Sequence, residues 1–115
     1  RFLSICSLLS CLSLLPSRNI PLVLFSPELN SKWFDHSAFP NFDFLLDSEL
    51  FASHLACLVD AGLVSRSGDF LSMHSLWQQC TQIYFKKTNQ DLYSQSCDIL
   101  KDLFNSRFIS RDNAN

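Results

Sequence analysis

The groups able to do chemistry in this 115-residue chain are three histidines, five cysteines and eleven acidic side chains. His36, His54 and His74 stand far apart without an HExxH spacing, so a zinc site is not expected. There is no P-loop, not even one Gly-Lys pair, and no GxSxG nucleophile motif. Asp43 and Asp47 read as first-turn helix acids rather than a catalytic dyad. We therefore expect no catalytic residue, no metal and no enzymatic activity from this chain alone. His54 falls beside the apolar positions Phe51, Leu55, Leu58 and Val59 and is expected as a partly buried core histidine. His74 has a more suggestive setting, between the end of a strand pattern and the start of a helix pattern. An imidazole there can donate to an anion. The competing expectation is that it merely packs or caps the hairpin.

Cys6, Cys11, Cys57, Cys80 and Cys97 are odd in number, widely spaced and without a CxxC pair. Cys57, Cys80 and Cys97 fall within apolar patterns, where a free thiol packs as a small hydrophobe. The expectation is reduced core cysteines in an intracellular, cytoplasmic protein. The net charge is -2 and Lys86-Lys87 is the only basic doublet. Neither nucleic acid nor an anionic membrane is an expected partner.

The elements that must position His74 lie around it. The helical pattern from Phe42 to Leu63 has Asp47 or Ser48 as its cap and Gly62 as its left-handed exit. Leu63-Val64-Ser65-Arg66 and Phe70-Leu71-Ser72-Met73 form two strands around a Ser67-Gly68-Asp69 turn. Ser75-Leu76-Trp77-Gln78 has the form of a capping box. The helix it opens carries Leu76, Cys80, Ile83 and Tyr84 on one face and Lys86 and Lys87 near its end. The earlier helix, from Phe42 to Leu63, carries Asp47, Glu49 and Asp60 and no Lys or Arg, and is unsuited to reading DNA.

Before this centre, Arg1 to Leu15 alternates apolar residues with serine, and Pro16 ends it. It reads either as a signal peptide or as a buried first helix with Ser4, Ser7, Ser10 and Ser13 on its less buried side. Ser17-Arg18-Asn19 is a turn, and Pro21 suits the first turn of a short helix better than a central strand. Ser26 to Asn41 is an irregular connection pinned by Trp33, Phe34 and Phe39. After a break at Thr88-Asn89, the last helix runs from Asp91 to Phe104 with Tyr93, Cys97, Leu100, Leu103 and Phe104 apolar. Eleven phenylalanines and 47% hydrophobic residues support one packed core. The fold class expected is mainly α with a small β-hairpin: a winged helix, a helix-turn-helix variant, with an added C-terminal helical pair. Residues 1–88 would form the winged-helix-like domain, 89–109 a C-terminal helix and 110–115 a frayed tail.

Three pieces resemble a known family. Leu8 to Phe25, with its Pro16 and Ile20-Pro21, is similar to that family's helix and following IPxxLf pattern. Leu55 to Gly68 is similar to its aLxxLxxxSLvxRxgd pattern, and Leu71 to Gln78 to its lsvHrLVQ pattern. The last helix resembles the family's ALxLLxxxFP ending. The family is the winged-helix segment that follows the ATPase core in STAND-type NTPases, the NB-ARC and NACHT proteins. The closest likeness is to fungal and bacterial members that continue into tetratricopeptide repeats. Two departures stand out: Ser75 where plant members have Asp, and Trp77-Gln78-Gln79 where the family favours Val-Gln.

The resemblance implies a regulatory module that couples ADP or ATP state to opening and oligomerisation of a signalling parent protein. It makes His74 the counterpart of the histidine that reaches the β-phosphate of bound ADP. It implies as partners the adjacent nucleotide-binding domain, downstream repeats and, in the active parent, further copies. ADP or ATP would bind the parent and not this chain alone. The alternatives are a small secreted helical protein with a cleaved signal peptide, and a stand-alone winged-helix adaptor for protein contacts.

Overall fold

Asp47 decides where the central helix begins. In the computed structural model, which describes residues 2–113 and the side chains of residues 2–106, its carboxylate accepts from the N–H groups of Glu49 at 3.0 Å and Leu50 at 3.1 Å. These are orphan donors of a first helical turn, and an aspartate cap satisfies them. The helix, α3, spans Ser48–Asp60. At its other end Gly62 takes φ 76°, the Gly62 N–H donates to Val59 O at 3.0 Å, and the Leu63 N–H donates to Leu58 O at 3.1 Å. That pair of bonds is a Schellman ending, which requires the left-handed residue glycine supplies.

The chain leaves this ending as a hairpin. Strands β2, Ser65–Ser67, and β3, Phe70–Ser72, pair antiparallel, with Ser67 opposite Phe70. Both strands are shorter than expected, and the turn contracts to Gly68-Asp69. Gly68 has φ 60° at the first turn position, as a two-residue hairpin of the II′ kind needs. A third strand, β1, Ile20–Pro21, pairs with β3 and gives the order β1-β3-β2. This corrects the expectation that Pro21 opens a helix. Pro21 sits on an edge strand, where its missing N–H removes no ladder bond, and a 3-10 turn follows at Leu22–Phe25. Asn19, at φ 58°, makes the reversal from the first helix into β1.

The irregular connection contains one short helix, α2, Pro27–Asn30, and a 3-10 stretch at Pro40–Leu45. Asn30 is fully buried. Its Nδ2 donates to Leu24 O at 3.0 Å, and its Oδ1 accepts from Trp33 Nε1 at 3.0 Å. A buried amide satisfied on both sides fixes the loop at a single point. Phe34 and Phe39 continue from there into a run of ring contacts through Phe42 and Phe44 to Phe51 and Phe25.

The first helix, α1, spans Phe2–Ser13 and packs against α3, the Pro40–Leu45 stretch, and two further helices: α4, Ser75–Thr88, and α5, Gln90–Asn113. Leu8 and Leu12 are fully buried, as a core helix requires. The expected less buried serine side is not there: Ser7 and Ser10 are fully buried and Ser13 nearly so. Ser7 Oγ donates to Leu3 O at 2.8 Å and Ser13 Oγ to Ser10 O at 2.7 Å. Back-bonding to the helix's own carbonyls lets these two hydroxyls go inside; Ser10 Oγ is buried without a hydrogen-bond partner among the described residues. Solvent meets the first turn instead, at Phe2 and Leu3.

Asn89 caps α5, its Oδ1 accepting from the Leu92 N–H at 3.1 Å. The helix runs nine residues past the expected end at Phe104, to Asn113; Ala114 and Asn115 lie outside the described residues. Its buried seam is Leu92, Ser96, Ile99, Leu100 and Leu103. Cys97 and Phe104 are exposed, Tyr93 is half-buried against the core, and Ser96 turns inward and bonds Leu92 O at 2.9 Å.

Candidate functional site

His74 occupies the junction of β3 and α4 with φ -55° and ψ 135°, an extended residue just before a helix. Its side chain is exposed. Nδ1 accepts from the Leu76 N–H at 3.1 Å, so His74 itself is the cap and Ser75 is the first helical residue. This corrects the expected capping box. An imidazole nitrogen reaches the same orphan N–H that a hydroxyl or carboxylate would. Accepting at Nδ1 places the proton of the neutral ring on Nε2. The helix behind it has no acidic residue in its first turn, so its positive end is uncompensated by side chains of its own.

Gln78, the other half of the expected capping box, does not fold back to the cap. It is buried on the inner face of α4 and donates from Nε2 to the carbonyls of Leu12 at 3.0 Å and Leu15 at 2.8 Å. Gln82, one turn on, donates from Nε2 to Ser13 O at 2.7 Å. The end of α1 leaves Ser13 O and Leu15 O for these two amides to satisfy, while Leu12 O also accepts from the Leu15 N–H at 3.3 Å.

With glutamines inward, the apolar stripe of α4 faces out. Leu76, Trp77, Ile83 and Tyr84 are 60%, 49%, 56% and 61% exposed, and Cys80 is exposed with them. The apolar face of this helix is therefore its solvent face; Phe85 is its buried hydrophobic residue. Cys57 and Cys97 are also exposed, so the expectation of core thiols fails at three of the five positions. All five cysteines are free. Burial pushes the Cys6 thiol up from its ordinary value, and pushes that of Cys11 up to about 12.

Trp77, Cys80 and Tyr84 of this stripe form one wall of an apolar groove of about 680 Å³. The first turns of α1 form the other, and Leu58, Leu63, Phe85 and Leu92 close its floor. The apolar spacing on α4 was visible in the sequence; which way the stripe points is decided by Gln78 and Gln82, one turn apart on the opposite side.

The other two histidines take separate partners. His36 Nδ1 lies 2.6 Å from Asp43 Oδ1 on the surface. His54 is buried, with Nε2 at 2.8 Å from Ser4 Oγ and its ring edge-on to Phe44, as the expected core histidine. Among the described residues no group of three or more His, Cys, Asp or Glu side chains is placed to hold a metal ion. Among them, too, no helix is long and apolar enough to cross a membrane. No protein-family model, curated protein or solved structure matches this chain.

Proposed function

We propose that this chain is the regulatory winged-helix module of a STAND-type NTPase, coupling the ADP or ATP state of its parent to opening and oligomerisation. The observation that carries the reading is the setting of His74. Its Nδ1 is committed to the Leu76 N–H, which leaves Nε2–H to donate beside the N-terminus of a 14-residue helix. Imidazole N–H and helix terminus act together on an anion. By resemblance that anion is the β-phosphate of ADP held by the adjacent nucleotide-binding domain. The outward stripe of α4 begins at Leu76 and Trp77, next to His74, and supports a docked state of the module on that domain.

In this reading the chain hydrolyses nothing itself. It is a two-state element: docked while ADP is held, released when the nucleotide changes, with differential contacts supplying the coupling. Downstream repeats follow α5, the parent assembles with its own copies when active, and the setting is cytoplasmic without DNA or membrane contact. A stand-alone adaptor is the second reading, favoured by the same exposed apolar stripe.

The test is ADP retention by the purified parent, wild type against His74→Ala and His74→Asn. Asparagine keeps a cap acceptor and removes the imidazole. Loss of ADP in both variants supports the reading; retention equal to wild type in both rejects it and selects the adaptor.

A further inference from the structure

We draw no further inference here: the strongest candidate, the apolar groove between α1 and α4 lined by Cys6, Trp77, Cys80 and Tyr84, belongs to the face already given to docking, and nothing in the structure shows what else covers it.

Discussion

The side-chain amide of Gln78 closes the end of α1, its Nε2 donating to Leu15 O at 2.8 Å and to Leu12 O at 3.0 Å. Two helices are thus joined by polar bonds in a buried seam, and the apolar side of α4 is turned to solvent. Replacing Gln78 by Leu leaves Leu15 O without this donor, while Leu12 O keeps the Leu15 N–H at 3.3 Å. One orphaned buried acceptor costs about 1–3 kcal/mol, and the substitution should destabilise by that much in urea denaturation. Gln82→Ala, which frees only Ser13 O, should cost about 1 kcal/mol. A neutral or stabilising Gln78→Leu would show that the seam does not hold α4 in this orientation.

The same orientation predicts an inverted mutational pattern along α4. Ile83→Ser, at a 56% exposed position, should change stability by no more than about 0.5 kcal/mol. Phe85→Ala, two residues on and 5% exposed, should cost about 3–5 kcal/mol. Thermal or denaturant unfolding of the pair separates the two faces. If Ile83→Ser were the costlier change, α4 would be rotated.

Gly62 and Gly68 adopt φ 76° and 60° with no atom within 4 Å of where a Cβ would stand. Alanine there meets no steric neighbour, so its cost is the backbone conformation alone, about 1–2 kcal/mol at each site. Measured losses well above that would mean the neighbouring strands are packed more closely than the structure has them.

Much of this was legible in the chain. Asp47, Gly62 and Gly68 announce themselves because a cap, a left-handed exit and a tight turn each admit few residue types. The aromatic pinning of the loop was legible for a similar reason, since Trp33, Phe34 and Phe39 have nowhere else to go. His54 followed from its place beside the apolar face of α3. Direction was harder to read. Leu76, Cys80, Ile83 and Tyr84 form a stripe at helical spacing, and spacing does not say whether a stripe faces the core or solvent. That is settled by partners distant in sequence, the carbonyls ending α1, which draw Gln78 and Gln82 inward. Ser7 and Ser13 of α1 misled for a related reason: hydroxyls bonded to their own helix carry little penalty inside. At His74, the residue type fits a cap or an anion contact equally, and its geometry includes the first while leaving Nε2 for the second.

Desolvation holds the Cys11 thiol protonated in the fold, its pKa raised from 9.0 to about 12, while contact with the Ser96 hydroxyl lowers it only in part. A folded pKa above the unfolded one stabilises fully below the unfolded value and loses that contribution as pH rises through the folded one. Between about pH 9 and 12 the unfolded chain releases this proton and the folded chain keeps it. Stability should then fall by up to about 1.4 kcal/mol per pH unit from this group. Urea denaturation at rising alkaline pH should show a steeper loss in wild type than in Cys11→Ala. Equal losses would mean that Cys11 is not buried as described.

The central claim is that nucleotide state decides whether this module is docked, and Cys80 is a native probe of it. It is exposed, a free thiol, and part of the outward stripe of α4. Alkylation of Cys80 in the parent protein, followed by peptide mass analysis, would be compared with ADP bound and with a non-hydrolysable ATP analogue. The exposed Cys97 serves as the internal reference. The account predicts that Cys80 reacts at least about tenfold more slowly in the ADP state, the protection factor of about 1.4 kcal/mol of docking, and that the difference shrinks in His74→Ala. Equal Cys80 reactivity in the two nucleotide states would contradict it.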